Sequence, residues 1–294
     1  GPVAPAPRPS PRPPVADRPA ELSVTRITTL IRDPFAIYAG HVLRLKKLDP
    51  LVPAADARAR GIALHAIMAR FLDARGDWQG DRAAARQVLG TIAAEELAQV
   101  TPSEAIQTLW RARLMAVADR LFDGEAARLA EGAPALLERA GGLDLDGLPL
   151  RLVARPDRID ALGDGYAIYD YKSGTPPTKD QVRHFEKQLV LEAALVERGG
   201  FADLPPGPVR RLAYLSLGAS GTDREIPVET DGRREADRAW DELHALIRHY
   251  GHRDQGYTAR RAAETSRFEG DYDHLARYGE WELTDLPVPV KVGP

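Results

Sequence analysis

The chain of 294 residues contains no cysteine. This absence excludes disulfide bonds, thiolate zinc sites and iron–sulfur clusters held by cysteine, and it is compatible with a reducing cytosol. Long hydrophobic runs are also missing: no segment is apolar over the length of a membrane span, and no signal-peptide pattern is visible. We therefore expect a cytoplasmic protein with no membrane partner.

A strong excess of charge of one sign is absent too. The 40 lysines and arginines nearly balance the 43 aspartates and glutamates, which gives a net charge of -3. Bulk charge thus gives no argument for nucleic-acid binding, and any DNA contact must come from local basic patches such as residues 44–47 or Arg260-Arg261. The G-x-x-x-x-G-K-[ST] and G-x-S-x-G motifs are missing, which argues against a nucleotide-driven motor and against serine acyl transfer.

What is present divides the chain into two parts. Residues 1–21 are Pro-rich, with eight prolines in the first 20 positions, and this composition predicts an extended linker or tail. The initial Gly1-Pro2 is typical of a tag-cleavage scar, and a natural disordered N-terminus is the alternative. We expect residues 22–294 to form a single domain, since a chain of this size can bury a core without disulfides. Its predicted parts are a helical region 22–140, a catalytic α/β core 141–255 and a C-terminal tail 256–294.

Hydrophobic periodicity predicts a mixed α/β fold. Ser23 is a candidate N-cap for a helix that extends to Leu30 and ends before Asp33-Pro34. The pattern from Ala54 to Ala135 indicates about three helices. The further predicted elements are strands over Leu148–Ile159 and Tyr166–Lys172, a helix over Thr178–Arg198, strands over Val209–Leu217 and Glu225–Val228, and a helix from Arg233 to His249.

The candidate chemistry lies on the first two of these strands. Gly163-Asp164-Gly165 predicts a turn, so a hairpin brings Asp157 close to Asp170 and Lys172. Alternation along the second strand places Asp170 and Lys172 on one face, about 7 Å apart along the strand. Two carboxylates can hold a hard divalent cation, and a nearby ammonium can bind phosphate or assist a water molecule. The pattern points to metal-dependent phosphodiester hydrolysis, and an ordinary surface Asp–Lys pair is the alternative.

Three further groups fit such a site. His65 shares an apolar helical face with Met68 and Leu72, so it is either a metal ligand or a buried core histidine. Gln188 is a candidate to bind a phosphate oxygen or to orient Lys172, although a surface glutamine is equally ordinary. The carbonyl of Tyr171 lies between Asp170 and Lys172 and is a further oxygen donor.

Together, Gly61-x-x-x-His65, Asp157, Asp170-Tyr-Lys172-Ser-Gly and Gln188 resemble the RecB-like branch of the PD-(D/E)XK nucleases in order and spacing. More narrowly, residues 22–281 resemble the C-terminal nuclease domains of the AddB type. The resemblance implies a restriction-endonuclease-like core, in which a small mixed β-sheet is flanked by helices and preceded by a helical N-terminal half.

The resemblance also implies roles for these residues. His65, Asp157, Asp170 and the Tyr171 carbonyl would hold Mg²⁺, with Mn²⁺ able to substitute, while Lys172 positions or activates water and Gln188 supports the site. The chain departs from the family pattern in a few places. Ala154 stands where glycine is frequent, Glu192 stands where many relatives have tyrosine, and Asp33 occupies the first cysteine position of relatives that carry an iron–sulfur cluster. We therefore expect no iron–sulfur cluster. We also expect the helical and C-terminal parts of the chain to hold together by packing alone.

The implied function is a bacterial, metal-dependent deoxyribonuclease, acting as an exonuclease, an endonuclease or both. Its expected substrate is single-stranded DNA, and its expected setting is double-strand-break repair and recombination beside an AddA-like helicase–nuclease subunit. Two alternatives remain open. One is a catalytically silent DNA-binding or scaffold module of a repair complex, and the other is a hydrolase of small phosphate esters.

Overall fold

The computed structural model describes residues 3–48, 56–218, 221–262 and 269–293. The predicted helix start at Ala54 and the Gly1-Pro2 pair lie outside these ranges. The helices are α1 (Val24–Arg32), α2 (Pro34–Ile37), α3 (Ala57–Asp73), α4 (Arg82–Val100), α5 (Glu104–Met115), α6 (Ala118–Glu131), α7 (Lys179–His184), α8 (Gln188–Glu197), α9 (Glu235–Gly251) and α10 (Asp273–Ala276).

The strands are short except for two in the centre of the molecule. They are β1 (Pro9–Arg12), β2 (Glu21–Ser23), β3 (Gly132–Leu137), β4 (Gly141–Asp144), β5 (Arg151–Ala154), β6 (Arg158–Leu162), β7 (Gly165–Lys172), β8 (Val209–Ser216), β9 (Arg224–Ile226), β10 (Glu229–Thr230), β11 (Arg233–Arg234) and β12 (Val288–Lys291). The predicted mixed α/β class is confirmed.

The main sheet has five strands in the order β3-β6-β7-β8-β9. β7 and β8 are parallel neighbours, and the remaining pairs are antiparallel. The parallel step requires a crossover, which α7 and α8 provide. β7 lies near the middle of the sheet, and all its residues from Tyr166 to Tyr171 are buried, as expected for a strand covered on both faces.

The predicted hairpin is confirmed, but its first arm is shorter than expected. β6 and β7 pair antiparallel with Leu162 opposite Gly165, so the turn falls at residues 163–164. The single strand predicted over Leu148–Ile159 is wrong: β5 pairs with β2 and β4 in a separate three-stranded sheet, and β6 belongs to the main sheet. The chain changes sheets at residues 155–157, where Pro156 has no amide hydrogen for a ladder bond.

Two hydrophobic cores cover the two faces of the main sheet. One contains α1, α8 and α9 and includes Tyr166 and Ile168 of β7. The other contains α3, α4, α5 and α6 and includes Ala167, Tyr169 and Tyr171. Alternate residues of one strand therefore belong to different cores, which follows from the two-residue repeat of a β-strand.

Helix boundaries follow the sequence only where it carries a local signal. The Ser23 hydroxyl accepts a hydrogen bond from the Arg26 amide at 3.2 Å, so the predicted N-cap is confirmed. The stretch from Ala54 to Ala135 contains four described helices rather than the predicted three, because α5 and α6 separate at residues 116–117 without glycine or proline. The helix predicted over Thr178–Arg198 is also interrupted, at residues 185–187, and α8 begins at Gln188.

The Pro-rich start is extended over Pro9–Arg12, but this stretch is not a free linker. β1 pairs in parallel with β12 near the other end of the chain. Arg8 is buried and donates hydrogen bonds to the carbonyls of Ala259, Leu283, Arg260 and Asp285 at 2.7–3.2 Å. Among the described residues, no helix is both long and apolar enough to span a lipid bilayer.

Candidate active site

Asp157 lies between the β6–β7 hairpin and helix α3. It immediately precedes β6 and is buried. Its Oδ2 accepts a hydrogen bond from the Tyr171 amide at 2.7 Å, and its Oδ1 lies 3.0 Å from Nδ1 of His65. The orientation of this carboxylate is therefore fixed by backbone on one side and by the imidazole on the other.

Burial lowers the pKa of His65, but the hydrogen bond and negative charge of Asp157, with contributions from Asp170 and Glu138, outweigh it. The pKa of His65 is consequently raised above its ordinary value of 6.5. The imidazole side chain is 29% exposed, so it remains accessible from solvent. This histidine is held as an accessible group against carboxylates, rather than buried in an apolar core.

Asp170 and Lys172 form an ion pair on the same face of β7. Nζ of Lys172 lies 2.7 Å from Oδ2 of Asp170 and 5.4 Å from the centre of the Tyr214 ring. Burial raises the pKa of Asp170. Burial also lowers the pKa of Lys172, but the charge of Asp170 outweighs it, and the pKa of Lys172 is raised. Lys172 is therefore a cation at neutral pH.

Glu138 is a member of the site that the sequence did not reveal. It follows β3 in a left-handed backbone conformation with φ of 50°, and its amide donates to the Asp157 carbonyl at 3.2 Å. One ligand atom each from His65, Glu138 and Asp157 lie within 4.8 Å of one another, in an arrangement able to hold a metal ion. The available signal was an acidic residue directly after an apolar strand, which alone has no specificity.

Gln188 reaches the site through a second carboxylate. It is the first residue of α8, and its Nε2 donates to Oε1 of Glu192 at 3.2 Å. Glu192 is 1% exposed. Burial raises its pKa well above the ordinary value, and the charges of Asp170 and Asp157 raise it further. In the sequence, Glu192 is distinguished only as a departure from the family pattern.

A buried charge network supports the hairpin from its other face. Arg158 is fully buried and donates to both carboxylate oxygens of Asp160 at 2.6 Å. The same guanidinium donates to Glu125 on α6, which also accepts from Arg128 at 2.8 Å. Nη1 of Arg158 lies 3.4 Å from the Tyr171 hydroxyl oxygen. This network connects α6 to the strands that carry Asp157 and Asp170.

The donor set suits a divalent cation. Within the described part of the chain, this region brings together the ammonium of Lys172 and four carboxylates, those of Glu138, Asp157, Asp170 and Glu192. In addition, Oε2 of Glu192 is buried and has no hydrogen-bond partner in the described part of the chain. Carboxylate oxygens are preferred ligands of Mg²⁺ and Mn²⁺, and the imidazole of His65 favours Mn²⁺ more than Mg²⁺.

The structure thus places the predicted site residues as follows. His65, Asp157, Asp170 and Lys172 lie together, Tyr171 contributes its amide to Asp157, and Gln188 contacts Glu192. The basic patch proposed at Arg260-Arg261 is wrong for its first member. Arg260 is 3% exposed and pairs with Asp273, so it does not present a surface for DNA.

Comparison with known proteins is consistent with this geometry. The sequence profile described as "PD-(D/E)XK nuclease superfamily" matches residues 21–278. An "Uncharacterized protein" of Rickettsia bellii is 26% identical over 184 residues, which is 61% of this chain and 22% of the relative. Uncharacterized proteins of Rickettsia conorii and Rickettsia typhi are each 27% identical over 62% of this chain, and the matches cover 23% and 22% of those proteins. The matched region therefore covers less than a quarter of the length of each of these relatives.

Proposed function

The chain belongs to the PD-(D/E)XK nuclease superfamily, and on that premise we propose that it is a divalent-metal-dependent deoxyribonuclease that hydrolyses phosphodiester bonds of single-stranded DNA. The observation that carries the proposal is the convergence of ligand atoms of His65, Glu138 and Asp157 within 4.8 Å, beside the ion pair that buried Asp170 forms with Lys172. The mixed α/β fold is consistent with the restriction-endonuclease-like architecture of the superfamily.

The metal would be held by His65, Glu138, Asp157 and Asp170, with the Tyr171 carbonyl as a further donor. Mg²⁺ is the expected ion, and Mn²⁺ would substitute. When bound, such an ion lowers the pKa of water and neutralises phosphate charge. The hydrogen bond from the Tyr171 amide keeps Asp157 in one orientation. This carboxylate therefore need not reorient when a charged substrate binds.

Lys172 contributes a fixed positive charge. Because Asp170 raises its pKa, its ammonium donates hydrogen bonds and does not take up a proton. It would hold a phosphate oxygen or orient the water that attacks phosphorus in line, leaving a 5′-phosphate and a 3′-hydroxyl. The side chain is 30% exposed, as is required for a group that meets a polymer arriving from solvent.

The wider setting is also part of the proposal. The resemblance to AddB-type domains supports a role in double-strand-break repair and recombination in the bacterial cytoplasm, with an AddA-like helicase–nuclease subunit that delivers the strand. The similarity to much longer proteins fits a nuclease region, taken as one domain over residues 22–294, that works within a larger assembly. Exposed Arg44 and Lys46 are candidate phosphate contacts.

The first experiment is cleavage of end-labelled single-stranded DNA with Mg²⁺, Mn²⁺ or EDTA. We expect metal-dependent cleavage by the unmodified chain and a loss of roughly 100-fold or more in Asp170→Asn, because one charged ligand and the partner of Lys172 are removed together. Asp164→Asn is the matched control, since Asp164 lies in the exposed hairpin turn.

Cleavage by Asp170→Asn at the unmodified rate would show that the site is assigned wrongly. Binding of DNA by the unmodified chain without any cleavage in either metal would instead favour the scaffold alternative.

A further inference from the structure

A cavity of about 460 Å³ lies between α1, the α7–α8 segment and α9. Its volume is within the range of ordinary small-molecule sites, about 300–1,000 Å³. The walls are apolar and come from three helices, α1, α8 and α9, with Ile27, Ile31, Leu191, Leu243 and Leu246. Ile31 and Leu246 are only partly buried, so apolar surface of both side chains borders the cavity.

The charged residues around this cavity are mostly cationic, although the whole chain has a net charge of -3. They are Arg183, Lys187, Arg261 and a single carboxylate, Glu242. Lys187 pairs with Glu242 at 2.9 Å, whereas Arg183 and Arg261 are exposed and leave the opening positively charged. A packing gap between helices would need only the apolar walls. The added cations favour a ligand that combines an apolar group with negative charge.

Phe185 presents an aromatic ring to the same cavity. It lies in the interruption between α7 and α8 and is half-buried. Cζ of Arg32 lies 5.4 Å from the centre of this ring, and the ion pair of Arg32 with Glu186 at 2.8 Å connects the segment to α1. The amides of Phe185 and Glu186 both donate to the Gln181 carbonyl, at 2.8 and 2.7 Å. The ring is therefore held in place before any ligand binds.

The segment that carries Phe185 also borders the catalytic centre. Gln188 follows three residues later at the start of α8. Burial raises the pKa of Tyr214, and the charges of Asp170 and Glu186 raise it further, so Glu186 lies near this tyrosine. The Tyr214 ring is in turn 5.4 Å from Nζ of Lys172. The cavity is thus a neighbour of the group that would hold the phosphate.

We propose that this cavity binds one unpaired nucleobase of the substrate strand, next to the phosphate that is cleaved. This inference rests on the proposed function and names the feature that selects single strands. The base would stack on Phe185 between the apolar walls, while Arg183 and Arg261 contact neighbouring phosphates. A base within a duplex cannot enter without being unpaired and unstacked, which costs free energy.

The test is DNA binding by the full chain in EDTA, followed by the anisotropy of a fluorescein-labelled single strand and of the same strand annealed to its complement. Phe185→Ala should weaken single-strand binding by about tenfold, because a stacking surface is lost, and should leave duplex binding unchanged. Phe185→Trp keeps such a surface and should bind like the unmodified chain. Leu109→Ala, which removes an exposed apolar side chain from α5, is the control and should change neither affinity.

Arg183→Gln tests the cavity at an exposed position, without removing a half-buried ring. Loss of one phosphate contact should reduce the slope of log affinity for single strands against log salt concentration by about 0.7. Arg113→Gln, at an exposed position of α5, is its control and should leave that slope unchanged.

Unchanged single-strand affinity in Phe185→Ala would overturn the inference, and so would equal losses of single-strand and duplex affinity. An unchanged salt slope in Arg183→Gln, or no single-strand binding by the unmodified chain at low salt, would also contradict it. None of these measurements requires cleavage, so each of these results leaves the metal-dependent nuclease activity to its own test. The expected binding pattern without cleavage in either metal would contradict the proposed function alone.

Discussion

At the residue scale, the site depends on carboxylates that are oriented by neighbours before any ligand arrives. Asp157 contacts His65 and the Tyr171 amide, and Asp170 contacts Lys172. Each contact also sets a protonation state, because His65 and Lys172 both have raised pKa values as a result of adjacent negative charge. Adjacent negative charge thus favours the cationic forms of both side chains in the metal-free protein.

The raised pKa of His65 predicts how metal affinity depends on pH. A metal must displace the proton on the imidazole, so affinity is highest above the folded-state pKa and falls by about tenfold per pH unit below it. Because that pKa lies above 6.5, the fall should begin above pH 6.5. Titrations with Mn²⁺ between pH 6 and 8 should show it for the unmodified chain, and His65→Gln should bind more weakly with a flatter profile.

The same histidine predicts metal preference. An imidazole ligand favours Mn²⁺ over Mg²⁺. The cleavage rate with Mn²⁺ divided by the rate with Mg²⁺ should therefore fall toward one in His65→Gln. An unchanged ratio would mean that His65 acts through Asp157 and not as a ligand.

At the scale of elements, the β6–β7 hairpin depends on the buried charge network that contacts its face opposite the candidate site. Arg158→Met removes the guanidinium that pairs with Glu125 and Asp160. It leaves the buried Asp160 carboxylate without this partner and leaves Glu125 with Arg128 alone. Breaking a buried ion pair in this way costs about 3–5 kcal/mol. We expect a loss of that size in the free energy of unfolding, measured in urea.

Arg210→Met provides the comparison for Arg158→Met. Arg210 lies on neighbouring β8 and pairs with exposed Asp164 at 3.0 Å, so its loss should cost no more than about 1 kcal/mol. Similar losses in the two variants would contradict a supporting role for the buried network.

The elements also show which parts of the site could be predicted. Asp170, Lys172 and the turn at residues 163–164 could be placed because strand alternation and hairpin geometry are local rules. Glu138 could not be placed, because its contact with Asp157 depends on the pairing of β3 with β6. The same limit applied to Glu192, since a carboxylate in α8 becomes a site residue only when that helix packs against β7. The break after Asp33 was visible in Pro34, whereas the break between α5 and α6 carried no such residue.

At the scale of the whole molecule, hydrogen bonds connect residues near the two ends of the described chain. Arg8 donates to four backbone carbonyls of the C-terminal region, and Asp33 accepts from the Arg260 amide at 2.9 Å. The expectation that these parts hold together by packing alone is therefore wrong, because polar contacts connect them. Arg8→Met should lower the free energy of unfolding by about 2–3 kcal/mol. Arg12→Met, which removes a 3.7 Å ion pair with exposed Asp254, should have little effect, and equal losses in the two variants would contradict this assignment.

The two hydrophobic cores meet at the main sheet, and the site takes residues from both sides of it. His65 belongs to α3, which packs in the helical core, while Glu192 belongs to α8 on the opposite face. A cation that contacts both sides stabilises the folded state by about 2.7 kcal/mol at a hundredfold excess over its dissociation constant. Such an ion should stabilise both cores as one cooperative unit.

Tryptophan fluorescence can test this coupling, because Trp78 and Trp110 lie in the helical core and Trp240 and Trp281 pack in the other. Two variants, each keeping one pair and carrying phenylalanine at the other, should unfold in single transitions that Mn²⁺ shifts to higher temperature by the same amount. A shift confined to one pair would mean that the cores unfold separately and that residues 22–294 are not a single cooperative domain. Since the proposed metal ligands are drawn from both faces of one sheet, we expect equal shifts.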